Sequence, residues 1–105
     1  MNMNITQFHA LTDQLFYQIE LYLDKYADEH DIDLDYETNG NVITISFPNN
    51  SKIIVNTQEP LFQVWLATQK QGYHFDLINE QWICNRTDQP FEEIFASSVQ
   101  EQSEQ

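Results

Sequence analysis

The chain has one cysteine, Cys84, two glycines, three prolines and only four basic residues among 105 positions. A single thiol excludes an internal disulfide and any cage of several thiolates within one chain, and it fits a reducing compartment. Two glycines leave no material for a phosphate-cradling loop. No apolar run approaches the length needed to cross a bilayer. Met1 to Thr6 carry neither a basic cluster nor an apolar stretch, so no secretory or transit signal is read there and a cytoplasmic protein is expected. The shortage of bases weighs most. Seventeen acids against four bases give a formal charge of -13, which repels nucleic acid phosphates and anionic lipid. No nucleic-acid or membrane partner is expected. Cations, or proteins with basic patches, are.

What is present is enough for one compact domain over residues 1–105, since 41% of the residues are hydrophobic and 13% aromatic. Phe8, Leu11, Leu15, Ile19, Tyr22 and Tyr26 fall at steps of three and four and draw one stripe down a long first helix. Asp13, Glu20, Asp24, Asp28 and Asp31 share a narrow sector opposite that stripe. The period then changes. Asp31, Asp33, Asp35 and Glu37 alternate with Ile32, Leu34 and Tyr36, which predicts a half-buried first strand with an acidic outer face. Thr38 to Asn41 centre on an Asn-Gly pair suited to a tight hairpin turn.

Further strands are predicted at Val42 to Phe47, Lys52 to Asn56, Leu61 to Ala67, Tyr73 to Leu77 and Gln81 to Cys84, separated by turn signals at Pro48 to Ser51, Gln58 to Pro60, Gln71-Gly72 and Asn79-Glu80. Pro90 suits the first turn of a short second helix whose apolar face is Phe91, Ile94, Phe95 and Val99. From Gln100 the tail is Gln, Glu and Ser and is expected to fray. The fold class is therefore α+β, a two-layer sandwich with two helices on one face of an antiparallel sheet of about six strands.

The carboxylates from Glu20 to Glu37 form the chief candidate site. Like charges so placed repel, and cations or a basic partner would relieve them. Carboxylate oxygens are hard ligands and suit hard cations. An EF-hand loop is excluded, because Tyr36 stands at its glycine position and Val42 at its closing glutamate. His9 lies one turn before Asp13 and is a candidate nitrogen ligand; His30 and His74 more often face solvent. Catalysis has little support. No nucleophile-base spacing stands out, Cys84 lies in an apolar strand pattern, and a working carboxylate pair needs one acid buried in a cleft. A non-enzyme is expected. Alternation in Gln63-Val64-Trp65-Leu66 puts Trp65 beside Gln63 on the open sheet face, where tryptophan is a frequent binding anchor. Trp82 is read as core.

The run from Ser51 through Thr68, then Gly72 through Leu77, then Trp82-Ile83-Cys84, resembles the frataxin family, and within it the bacterial CyaY type. The likeness extends from about Phe8 through the second helix. It implies two helices on an antiparallel sheet, an acidic ridge on the first helix and first strand, and an exposed sheet tryptophan. It also implies weak, surface-bound ferrous or ferric iron, with other divalent cations on the same oxygens, and contact with the cysteine desulfurase and the iron-sulfur scaffold protein. The metal set so implied, together with Asp28 from the charge pattern, is His9, Glu20, Asp24, Asp28, Glu29, Asp31, Asp33 and Asp35. The partner-binding set is Asp24, Asp31, Asp33, Asp35, Gln63 and Trp65. A monomer is expected, with iron-dependent oligomers as a further state. The function so implied is that of an iron-binding regulator of iron-sulfur cluster assembly. The alternative is an acidic interaction module whose metal binding is incidental. Relatives usually carry acids where this chain has Leu21, Lys25 and Ala27, and polar residues where it has Pro48 and Phe62.

Overall fold

The computed structural model describes residues 3–105; Met1 and Asn2, the start of the segment read as carrying no leader, lie outside the described residues. Helix α1 spans Ile5–His30 and helix α2 spans Phe91–Ser103; between them lie strands β1 Asp35–Asn39, β2 Val42–Ser46, β3 Lys52–Gln58, β4 Gln63–Ala67, β5 Gly72–Ile78 and β6 Gln81–Cys84, with a short 3-10 turn at Glu59–Leu61. The strands pair antiparallel in sequence order, a plain meander with β1 and β6 at its edges. This is the expected two-layer α+β sandwich with six strands.

Helix α1 begins one turn before the apolar stripe. The Asn4 side chain accepts from the Gln7 N–H at 2.8 Å, and the Gln7 side chain accepts from the Asn4 N–H at 3.0 Å, a reciprocal capping box. Phe8, Thr12, Leu15, Phe16, Ile19 and Leu23 are its buried face. Beneath them lie Ile43, Ile45, Ile53, Val55, Val64, Leu66 and Phe75 from alternate strand positions, and Ile94, Phe95 and Val99 from α2. Each large apolar side chain buried this way contributes about 1.5–3 kcal/mol. Trp82 is in this core, as expected, with its ring edge-on to Phe8.

Several boundaries differ from the sequence reading, each for a physical reason. The first strand does not begin at Asp31. Helix α1 runs on to His30, Asp31 closes it in the left-handed conformation (φ 51°), and the N–H groups of Asp31 and Ile32 both reach the Ala27 carbonyl. Aspartate tolerates that conformation better than most residues. Burial still alternates from Asp31 to Tyr36, but pairing starts only at Asp35. At the first hairpin the two turn residues are Gly40 and Asn41; Asn39 pairs with Val42 and only Gly40 takes positive φ, at 58°. Leu61 belongs to the 3-10 turn, since Pro60 suits its start. Pro90 is the extended residue before α2, with no place in its first turn, because it bridges back to Ile83.

The tail departs most. Helix α2 continues to Ser103, and Gln102 is 3% exposed. Its side-chain oxygen accepts from the Gln69 N–H at 2.9 Å, and its amide nitrogen donates to Ser51 Oγ at 2.9 Å and to the Lys52 carbonyl at 3.3 Å. Its own carbonyl accepts from Asn49 Nδ2 at 2.7 Å. One polar residue thus pins the β2-β3 and β4-β5 turns to the end of α2, and Lys70 pairs with Glu101 beside it. Gln102→Ala is expected to destabilise the domain by about 2–3 kcal/mol, because buried partners lose their hydrogen bonds. Equilibrium chemical denaturation measures this, with Gln100→Ala on the exposed side of the same turn expected to cost under about 0.5 kcal/mol.

Candidate functional site

The acidic residues gather where α1 ends and β1 begins. Asp24, Asp28, Glu29, Asp31, Asp33 and Asp35 are exposed and Glu20 is half-buried. Several stand in the last turns of α1, where the carbonyl end of the helix dipole already carries partial negative charge. The one base in that final turn is His30, whose ring lies 4.1 Å from that of Tyr26; Lys25 reaches Glu29 at 3.8 Å.

The pleat of β1 divides the cluster. Tyr36 and Thr38 face α1, where Tyr36 donates its hydroxyl to Asp24 Oδ1 at 3.0 Å and Thr38 donates to Glu20 Oε2 at 2.6 Å. Asp35 and Glu37, on alternate positions, belong to the other face, in register with Ser46 and Thr44. Helix acids and strand acids therefore flank one sheet edge from two sides. Among the described residues no three His, Cys, Asp or Glu side chains converge to hold a metal ion. Exposed oxygens in ones and twos fit a cation that keeps most of its water, and they do not fit an enclosing cage.

His9 stands apart. It pairs with Glu59 of the 3-10 turn, and the helical rise puts it about 16 Å along α1 from Glu20. An open groove of about 890 Å³ is also at that end of α1, lined by Met3, Gln7, Leu11, Leu77 and Glu80. Cys84 is fully buried. Burial pushes its thiol up, but hydrogen bonding with the Thr87 hydroxyl and with the backbone of Arg86 and Thr87, and the Arg86 charge, outweigh it and hold the pKa below the ordinary value.

On the open face of the sheet Trp65 is half-buried. It donates its indole N–H to Gln63 Oε1 at 2.9 Å, and its ring lies on that of His74 at 4.1 Å and 7° from parallel. Gln63 in turn donates to Asp76 Oδ1 at 2.9 Å. The sequence reading singled out Gln63 and Trp65. It did not find His74 and Asp76 as their neighbours, because cross-strand partners become visible only once register is known; the alternation in β5 was the one available signal.

A family model for the frataxin-like domain matches residues 1–105. The chain belongs to the frataxin family. It is similar to a solved frataxin of Psychromonas ingrahamii, of the CyaY protein family, with 39% identity, a TM-score of 0.84, and coverage of 98% of this chain and 94% of that one. It is also similar to trimeric frataxin of the yeast Saccharomyces cerevisiae complexed with ferrous iron, with 25% identity, a TM-score of 0.77, and coverage of 90% and 87%. Frataxins are generally linked to iron-sulfur assembly and iron binding. No helix among the described residues is long and apolar enough to cross a membrane.

The cluster leaves a titration signature in this frataxin. Partial burial, then the hydrogen bond to Asp24, then the charges of Asp24 and Glu20 push the Tyr36 phenol above its ordinary value of 10.0. The folded state favours the neutral phenol, so its contribution is complete below about pH 10 and is lost as pH rises through the raised pKa. Asp24→Asn is expected to lower the Tyr36 pKa toward the ordinary value, read as tyrosinate absorbance against a Tyr36→Phe reference.

Proposed function

We propose that the protein is a non-enzymatic, iron-binding regulator of iron-sulfur cluster assembly. In this reading Glu20, Asp24, Asp28, Glu29, Asp31, Asp33 and Asp35 hold ferrous or ferric iron weakly at the surface. Asp24, Asp31, Asp33 and Asp35 among them, with Gln63 and Trp65, dock on the basic surface of the cysteine desulfurase and its scaffold, in the cytoplasm. The observation that carries the reading is the crowding of carboxylates at the C-terminal end of α1, against the helix dipole and with few bases beside them. Such an arrangement costs stability in the free protein and is relieved by a cation or a basic partner. Iron held by the yeast relative supports the metal half of the reading. His9 is the weakest member of the ligand set, since Glu59 already engages it away from the other acids.

Bound iron would supply charge neutralisation at the ridge, and the protein's own residues would hold it in place. The Tyr36 and Thr38 hydroxyls each take up an oxygen of Asp24 and Glu20, leaving those acids fewer free lone pairs for a metal. The exposed Asp28, Asp31 and Asp33 keep theirs. This weak, hydrated binding fits a regulator that must release its ion or its partner. A second reading is favoured by the lack of three converging ligands among the described residues: the ridge docks a basic protein and its metal binding is incidental.

An anaerobic titration of isotope-labelled protein with ferrous iron separates the two. Amide signals from Glu20 to Asp35 are expected to shift or broaden while those of β5 and β6 stay put. If the ridge signals ignore millimolar iron, the docking module becomes the correct reading. Reversing Asp31 and Asp33 together to Lys is expected to weaken desulfurase binding at low salt by about tenfold or more, with a smaller effect at high salt. Asp33→Lys alone leaves the helix end untouched and should show part of the same loss; unchanged affinity in both proteins would remove the ridge from the docking surface.

A further inference from the structure

The open sheet face carries a directed chain of hydrogen bonds that the docking reading does not use. Gln63 and Asp76 are directly opposite each other on β4 and β5, as are Trp65 and His74 one step along. An ionised carboxylate only accepts, and an indole N–H only donates. Asp76 Oδ1 therefore requires the nitrogen end of the Gln63 amide, at 2.9 Å, and this turns the amide oxygen toward the indole, also at 2.9 Å. Both ends select the same flip, since the donor-only indole needs the amide oxygen and the carboxylate needs the amide nitrogen. Asp76 is the one that anchors the amide to the neighbouring strand, and without it Gln63 is tethered only to the ring it is meant to hold. With it, the Trp65 ring is held at its edge by Gln63 and on its face by His74, whose ring lies 4.1 Å away and nearly parallel.

We propose that Asp76 is a positioning residue that acts through Gln63 to fix the Trp65 indole in one orientation on the sheet, so that the partner meets a preordered aromatic anchor. This rests on the reading of Trp65 as a docking residue. The advantage is entropic. An aromatic ring already held in its binding rotamer loses little freedom when a partner covers it, whereas a loose one loses more. Asp76 need not touch the partner for this to work.

The test compares Asp76→Ala, Asp76→Asn and Gln63→Leu in the full chain. The readouts are the Trp65 indole N–H signal, its exchange rate with water, and affinity for the desulfurase. Asp76→Asn removes the charge and keeps an oxygen acceptor for Gln63. It is expected to stay within about twofold of the parent in affinity, with the indole signal in place, whereas Asp76→Ala and Gln63→Leu should shift that signal, speed its exchange and lose about fivefold in affinity. An unmoved indole signal in Asp76→Ala overturns the relay. So does Asp76→Asn binding as weakly as Asp76→Ala, since the charge and not the hydrogen bond would then be at work. Trp65→Ala binding undiminished sinks the docking reading instead, and the indole signal still judges the relay independently.

Discussion

The structure depends on one constraint: a six-stranded meander has two faces, and this chain has only enough helix to cover one. Ile43, Ile45, Ile53, Val55, Val64, Leu66 and Phe75 exclude water only if α1 and α2 lie across them, which commits both helices to the same side. The period-two pleat then sends every intervening residue to the opposite side. Trp65, Gln63, His74 and Asp76 are on the open face for that reason, and no loop is needed to place them. The strand order follows as well, since each strand pairs with the next and the covering helices come only at the two ends of the chain.

The same geometry puts the charge where it is costly. Covering the sheet brings the C-terminal end of α1 beside β1, the edge strand, and the acids of both meet there. Tyr36 and Thr38 soften the repulsion by donating to Asp24 and Glu20, and the β1 acids on the other side guard an exposed edge against pairing with another chain. The helix dipole opposes the arrangement. A fold selected for stability alone would put bases there. Leu21 and Lys25 on the same stretch of α1 thin the charge only partly, because Asp28, Asp31 and Asp33 remain exposed.

Much of this was legible in the residues. The period-3.6 stripe from Phe8 to Tyr26 marked α1, and alternation marked β2 to β6 closely, because those patterns record which side of an element meets the core. The site acids were legible as a cluster, and Trp65 as the odd apolar residue beside a polar one. The failures sit where two local signals compete. Asp31 to Leu34 alternate like a strand, yet Asp31 is taken as the helix end. Asn39-Gly40 looks like a turn pair, yet pairing shifts the turn to Gly40-Asn41. In both places hydrogen bonding outside the local pattern decides.

By itself, then, the amino-acid order determined the element types, the buried face of each, the excess of negative charge and the family, since all of these are carried by periodicity, composition and contiguous residues. Tertiary structure alone decided which distant polar groups meet. Gln102 looked like frayed tail and is instead a buried tie to Ser51, Lys52 and Gln69. His9 looked like part of the ridge and pairs instead with Glu59. Asp76 carried no signal of its own and accepts from the Gln63 amide whose oxygen holds the Trp65 indole. Hydrogen-bond partners across strands or between helix and turn depend on register and distance in space, and a polar side chain carries no periodic signal that announces its partner.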